Sequence, residues 1–239
     1  MSDLNSSQQE AARHTNSPLL VLAGAGSGKT RVITRKIAYL IETIGLDPRH
    51  ITAVTFTNKA AREMKERVAE LLKGKKSKGL SISTFHTLGL NIIRREHKLL
   101  GLKAGFSIFD AQDAEGLMKE LLRKGKGDDE VASSYQWRIS EWKNDMLSPE
   151  QALASAESDL DQRTALLYAH YQRSLRAFNA VDFDDLILLP VRLFRDSPET
   201  LENWQNRIRH LLVDEYQDTN LSQYELVRQL VGVREALTV

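Results

Sequence analysis

The sequence predicts an α/β protein in which a parallel sheet is interrupted by a long helical insertion. Short apolar runs alternate with helical segments over residues 1–87, as in the β-α-β crossovers of a doubly wound parallel sheet. Residues 88–189 contain no convincing strand, and helical periodicity dominates there. Strand character returns at His210–Asp214. We therefore predict a discontinuous core domain, 1–87 and 190–239, and an inserted helical domain, 88–189.

The first part of the core is predicted from apolar runs and from the glycines and helix caps that end them. Leu19–Ala23 is an apolar run ending at glycines, typical of a strand buried on both faces. Asn58 is expected to cap the helix that follows the second strand. In chain order, the alternating strands and helices are Leu19–Ala23, Thr30–Ile44, Ile51–Phe56, Asn58–Leu72, Leu80–Ser83 and a helix opened by Thr84.

The insertion and the end of the chain are read from helical spacing. Predicted helices cover residues 88–99, 111–123, 134–144, 160–178 and 183–194, followed after the returning strand by 222–230. Trp137 and Trp142 are five residues apart, so they do not share one helical face. We predict core positions for them in preference to stacking on DNA bases. Residues 236–239 resemble the start of a further strand, so we expect a piece of a longer protein.

Composition restricts the class of protein. The 239 residues include no cysteine, which excludes disulfides and thiolate metal sites. No apolar stretch approaches the roughly 18–20 residues that a membrane span needs, and the N-terminus lacks the regions of a signal peptide. We expect a cytoplasmic protein without a membrane partner. The formal net charge of +1 neither supports nor excludes nucleic-acid binding.

A glycine-rich loop lies between the first strand and its helix. A turn of this kind points several backbone N–H groups at one position, and the helix N-terminus adds its positive dipole end. Lys29 is placed to reach the β- and γ-phosphates of a nucleotide, and the Thr30 hydroxyl is placed to ligate Mg²⁺. Ala23 stands where the strict motif has glycine. The predicted loop is Ala23, Gly24, Ala25, Gly26, Ser27, Gly28, Lys29 and Thr30.

An acidic pair follows the returning strand. Ligands of open α/β sheets bind at the carboxyl ends of the strands, and Asp214 and Glu215 stand at such an end. Hydrolysis of a phosphoanhydride needs a carboxylate for the metal and a base for water. We assign Asp214 to Mg²⁺ and Glu215 as the general base. Taken alone, the pair is also compatible with a cap for the next helix.

These segments resemble the motifs of the UvrD/Rep family of superfamily 1 DNA helicases, with the best match to its Rep branch. The resemblance implies a RecA-like P-loop NTPase core carrying an inserted all-helical subdomain, and it covers the whole chain in family order. The matching segments are Leu4–Ala11 (Q motif), Ala23–Arg31 (motif I), Thr55–Ala61 (motif Ia), Ser83–Gly89 (motif Ib), Asp182–Leu186 (return from the insertion) and Asp214–Asn220 (DExQ motif).

The resemblance implies roles that the residues alone leave open. Gln8 would recognise adenine, Arg31 would lie near the phosphates, and Gln217 would connect the γ-phosphate to the DNA-facing segments. Without the family, Gln8 and Arg31 are compatible with surface positions and Gln217 with a polar loop. The implied cofactors are ATP and Mg²⁺.

Two strand ends carry candidate DNA contacts. An aromatic side chain beside hydroxyls and a helix N-terminus can stack a base and hold phosphate without reading sequence. Alone, Phe56 is equally compatible with a core position, and His86 with a structural histidine; the resemblance favours contact with single-stranded DNA at both ends. The candidate residues are Thr55, Phe56, Thr57, Asn58, Thr84, Phe85 and His86.

The predicted function is an ATP-dependent DNA helicase that moves 3′ to 5′ on single-stranded DNA and unwinds duplex, in replication or repair. The direction comes from the resemblance alone. The alternatives are the motor part of a helicase–nuclease and an ATP- and DNA-binding module that does not unwind. The family's later motifs and second core domain do not occur in the 239 residues, so we expect little hydrolysis and no unwinding from the chain alone. Expected partners are single-stranded DNA, its junction with duplex and the missing domains, with self-association left open.

Overall fold

The computed structural model describes residues 4–24, 26–73, 77–125 and 131–239. Contacts divide the chain into two compact units. We call them the core unit, Met1–Leu88, Phe194–Thr219 and Leu226–Val239, and the helical unit, Gly89–Leu193 and Asn220–Glu225.

The core unit is built on a four-stranded parallel sheet. Its strands are β1 (Ile51–Thr55), β2 (Ser81–Thr84), β5 (His210–Val213) and β6 (Leu237–Thr238), in the order β2-β1-β5-β6. β1 is buried along its whole length, as expected of a central parallel strand. In the register of β1 with β5, Val54 lies opposite Val213. The predicted α/β fold with a parallel sheet is confirmed.

The segment predicted as the first strand differs from that prediction. Leu19 forms a single parallel bridge with Thr238, and the Val21 N–H donates to the Val239 carbonyl at 2.7 Å. The segment therefore runs beside β6, but Leu20 is 61% and Leu22 86% exposed. The expected burial on both faces is wrong, because Leu20 and Leu22 point to a face that the described residues leave open, while Leu19 and Val21 on the other face are half-buried.

Two helices of the core unit each bury an apolar face against the sheet. The main cluster combines apolar side chains of α2 (Lys29–Glu42), α3 (Asn58–Leu71) and the central strands. Ile37, Ile51 and Leu212 are fully buried in it. The remaining helices that contribute residues to this unit are α1 (Ser6–Arg13), α4 (Phe85–Glu96), α9 (Asp185–Asp196), α10 (Pro198–Arg207) and α11 (Leu221–Val231).

The helical unit contains a small sheet that its sequence does not predict. β3 (Ser107–Phe109) pairs in parallel with β4 (Ala180–Asp182). The expectation of no strand between residues 88 and 189 is therefore wrong, because three residues are too few to show a period of two. The unit's own helices are α5 (Ala111–Lys124), α6 (Ala132–Asn144), α7 (Pro149–Ala154) and α8 (Asp159–Ala177).

The core of the helical unit combines aliphatic side chains with the rings of Trp142, Tyr168 and Tyr171. Trp142 stacks on Tyr168 with ring centroids 6.4 Å apart, and both are buried. Trp137 is 65% exposed, so its predicted core position is wrong. A helix can bury only one of two positions that lie on different faces. None of the described helices is both long enough and apolar enough to span a membrane.

Candidate nucleotide site and DNA-facing edge

The phosphate loop has the backbone that its glycines allow. Gly26 and Gly28 have φ angles of +72° and +89°, in the left-handed region that favours glycine. A Cβ on Gly28 would also lie 3.2 Å from Nε2 of Gln8. Gly28 directly precedes α2, so the N–H groups of that helix end open toward the loop. Ala25 lies outside the described residues.

The loop and the acidic strand end meet at the start of α2. Oγ1 of Thr30 donates to Oδ2 of Asp214 at 3.2 Å. Asp214 is only 6% exposed, and its Oδ1 is buried without a hydrogen-bond partner in the described part of the chain. Burial raises the pKa of the Asp214 carboxyl, and the hydrogen bond from Thr30 opposes that rise.

The Thr30 hydroxyl and the unpaired oxygen of the buried Asp214 carboxylate fit Mg²⁺. This ion prefers oxygen ligands and usually takes only one or two of them from protein carboxylates. The described residues contain no group of three or more histidine, aspartate or glutamate side chains suited to a metal. An ion held by Thr30 and Asp214 would therefore take its remaining ligands from phosphates and water, which is how magnesium is usually held at nucleotide sites.

Glu215 is held by two neighbours. Its Oε2 accepts from Nε2 of Gln217 at 2.6 Å and pairs with Nζ of Lys29 at 3.1 Å. These contacts, Gln217 first and then Lys29, lower the pKa of the Glu215 carboxyl. Its backbone is left-handed, with φ +55° and ψ +44°, a conformation that is uncommon outside glycine and concentrates at functional sites. Glu215 is therefore ionised at neutral pH and able to accept a proton.

Gln8 reaches the loop from α1. Its Nε2 donates to the Ser27 carbonyl at 2.9 Å, and its Oε1 accepts from the Asn5 N–H in a capping box. Arg31 is exposed on the first turn of α2. A cavity of about 340 Å³ opens beside Ala23 and Lys29 and extends to Asp214, Glu215 and Gln217. The predicted loop, acid, base and glutamine are thus assembled at one place.

The first candidate DNA contact follows β1. Phe56 is half-buried, and its ring meets Phe85 edge to face at 5.5 Å. Thr55 is buried, and its hydroxyl donates to the Thr57 carbonyl at 3.1 Å. Thr57, not Asn58, is the cap of α3, since its Oγ1 accepts from the Ala60 N–H. The predicted cap is thus one residue too late, and the polar Thr57 and Asn58 are exposed at the helix start.

The second candidate contact follows β2. Thr84 is buried and caps α4, since its Oγ1 accepts from the Thr87 N–H at 3.2 Å. Phe85 is 2% exposed, so its ring supports Phe56 and offers no free face. Burial lowers the pKa of His86, which makes it a neutral polar group at pH 7. β1 and β2 are parallel neighbours, so both strand ends lie at one edge of the sheet.

Lys36 is a residue of this region that the sequence analysis missed. It is completely buried, and its Nζ donates to carbonyls of Ala11 and His14 at the end of α1. A signal was present, because Lys36 falls within the apolar stripe of α2, three residues after Ile33 and four before Leu40. A charged residue inside such a stripe indicates either a tolerated surface position or a buried polar contact.

Comparisons with known proteins find the family that the sequence motifs resemble. A family model described as the UvrD/REP helicase N-terminal domain matches residues 4–239. The chain is 57% identical over 237 residues to the ATP-dependent DNA helicase Rep of Escherichia coli (strain K12), covering 99% of this chain and 35% of that protein. It is 56% identical to Rep of Salmonella typhimurium over the same coverage. It is 43% identical to the ATP-dependent DNA helicase PcrA of Staphylococcus epidermidis, covering 99% of this chain and 33% of that protein. The chain thus spans about a third of the length of these relatives.

Proposed function

Because this chain belongs to the UvrD/Rep helicase family, we propose that it forms the ATP- and DNA-binding part of a DNA helicase that moves 3′ to 5′ on single-stranded DNA. The observation that carries the proposal is the assembly of Lys29 and Thr30 with Asp214 and Glu215 within hydrogen-bonding distance. In this proposal, residues 1–87 and 190–239 form the motor core, and residues 88–189 lie near the duplex.

The site's own residues account for binding and for proton transfer. Lys29 leaves Glu215 to contact the β- and γ-phosphates of ATP, and the N-terminus of α2 holds the phosphates through its N–H groups. Thr30 and Asp214 would hold Mg²⁺, which neutralises charge on the phosphates when bound. Glu215, freed from Lys29, accepts a proton from the attacking water, while Gln217 keeps its carboxylate in place.

The residues at the strand ends account for binding of single-stranded DNA that does not depend on base sequence. Stacking on an aromatic face contributes about 1–3 kcal/mol per base and tolerates any base. Phe56 is half-buried at the end of β1, with the exposed Thr57 and Asn58 beside it for phosphate. Single-stranded DNA bound there would lie one strand away from Asp214, since β1 and β5 are neighbours.

The test uses the full-length protein that contains this chain. We expect Glu215→Gln to retain ATP binding and to lower DNA-stimulated hydrolysis by at least about 10²-fold, the usual weight of a general base. Lys29→Ala should abolish nucleotide binding and unwinding. Glu63→Gln is the matched control, because Glu63 lies outside the proposed site and pairs with Arg67 on the surface at 3.8 Å. The readouts are ATP turnover and unwinding of duplexes with a 3′ or a 5′ single-stranded tail.

Three outcomes would contradict the proposal. Undiminished ATP hydrolysis by Glu215→Gln would show that Glu215 is not the general base. Unwinding only from 5′ tails would overturn the direction. DNA-dependent ATP turnover without unwinding on either substrate would favour an ATP- and DNA-binding module.

A further inference from the structure

Lys36 makes an unusual contact with the end of a short helix. Its Nζ donates to the Ala11 carbonyl at 3.1 Å and to the His14 carbonyl. His14 is the C-cap residue of α1. The last carbonyls of a helix have no partner within it, and a cation near them is favourable. Lys36 therefore ties down the C-terminal end of α1.

Among the described residues, the hydrogen-bond partners of this ammonium group are the two carbonyls at the end of α1. Lys36 is completely buried. Burial alone lowers the pKa of Lys36 to about 8. An apolar side chain would fill the same space without that desolvation cost, so the contribution of the ammonium group is its bonds to α1.

The other end of α1 holds Gln8. This glutamine lies three residues before Ala11, one helical turn from the carbonyl that Lys36 binds, and donates to the Ser27 carbonyl of the phosphate loop at 2.9 Å. Between the two ends, Ala12 packs against Val32 of α2. An eight-residue helix is not stable alone, so its position depends on tertiary contacts such as these.

From this arrangement we propose that Lys36 is a positioning residue that fixes α1 on α2 and so places Gln8 against the base of the bound nucleotide. The inference rests on the proposed function, since it requires that this site binds ATP. Lys36 itself does not touch the nucleotide in this proposal. It acts only through Gln8.

The experiment compares Lys36→Met, Gln8→Ala and the double variant in the full-length protein. We expect each single variant to raise the KM for ATP about tenfold, equivalent to ~1.4 kcal/mol, with kcat at saturating ATP within about twofold. Both should reduce the preference for ATP over UTP. If Lys36 acts through Gln8, the double variant should be no worse than either single one, because effects on one shared interaction do not add.

Lys65→Met is the matched control, since Lys65 is exposed on α3. Lys36→Gln keeps one short hydrogen-bond donor, so its KM for ATP should lie between those of the wild-type protein and Lys36→Met. It replaces Lys36→Met in the comparison if circular dichroism shows that Lys36→Met does not fold. Unchanged KM and base preference in Lys36→Met and Lys36→Gln, with Gln8→Ala impaired, would overturn the inference alone. Additive losses in the double variant would also overturn it. A wild-type protein that shows neither ATP binding nor a preference for ATP would overturn the proposed function instead.

Discussion

At the residue scale, Lys36 and Lys143 are buried charges that the sequence pattern did not predict. Lys143 is buried from water and surrounded by carboxylates. Its Nζ lies 2.6 Å from Oδ2 of Asp182 and 2.9 Å from Oδ1 of Asp185. Tyr171 also donates to Asp182, at 3.0 Å. Burial alone would lower the pKa of Lys143, but the two carboxylates raise it above its usual value. The partners are about 40 residues apart in sequence, beyond the reach of any local pattern.

We expect Lys143→Met to lower the free energy of unfolding by about 3–5 kcal/mol, because it leaves buried carboxylates without their cation. Lys119→Met is the control, since Lys119 makes a partly exposed pair with Glu115 at 2.7 Å, and such pairs are worth about 1 kcal/mol or less. Urea denaturation followed by circular dichroism measures both. Equal losses in the two variants would show that the Lys143 cluster is energetically ordinary.

By contrast, the site residues assembled around the phosphate loop were predictable. Gly28, Lys29 and Thr30 are consecutive, and Asp214 directly follows an apolar run, so local pattern and the rule for strand ends place them together. The ion pair of Lys29 with Glu215 was not predictable, because it depends on the left-handed backbone at Glu215.

At the element scale, the sequence predicts long periodic helices and fails on short ones. α5, α6 and α8 lie within one or two residues of their predicted bounds. α7 and α10, of six and ten residues, were not predicted. Start signals were available, since each begins with a proline after a serine, at Ser148 and Ser197. Too few turns follow to show a helical period.

Close packing at Gly89 gives a test at the element scale. A Cβ there would lie 1.8 Å from the carbonyl oxygen of Leu186, a backbone atom that cannot turn away. We expect Gly89→Ala to cost about 3 kcal/mol or more, since α4 must separate from that backbone. Gly116→Ala in α5 meets nothing within 4 Å and should stabilise by up to about 1 kcal/mol. Thermal denaturation separates the two, and a neutral Gly89→Ala would refute the packing argument.

At the scale of the whole molecule, the alternation of strands and helices was enough to predict the parallel sheet. It was not enough for the order β2-β1-β5-β6, because β6 has two residues and 125 residues separate the end of β2 from the start of β5. Long-range pairing of this kind depends on which edges are left to pair, and hydrophobic periodicity carries no such information.

The 239-residue chain tested alone gives a prediction at this scale. We expect it to bind ATP with Mg²⁺ but to turn it over at least about 10³-fold more slowly than a full-length relative with DNA. An arginine supplied across a cleft contributes about 10³–10⁵ in rate, and the family resemblance places that arginine in a second core domain. Single-turnover hydrolysis after confirmed ATP binding is the measurement. Turnover close to that of a full-length relative would show that this chain needs no such arginine.

The hydrogen bond from the Asp214 N–H to the Val54 carbonyl, 3.0 Å long, has a mechanical consequence. Val54 stands two residues before Phe56, and neighbouring strands lie about 4.8 Å apart. In the proposed function, a displacement of the Phe56 ring by DNA would reach the backbone of Asp214 through the short stretch from Val54 to Phe56 and one backbone hydrogen bond. With so short a path, the proposed DNA contact at Phe56 and the proposed nucleotide contact at Asp214 would change together.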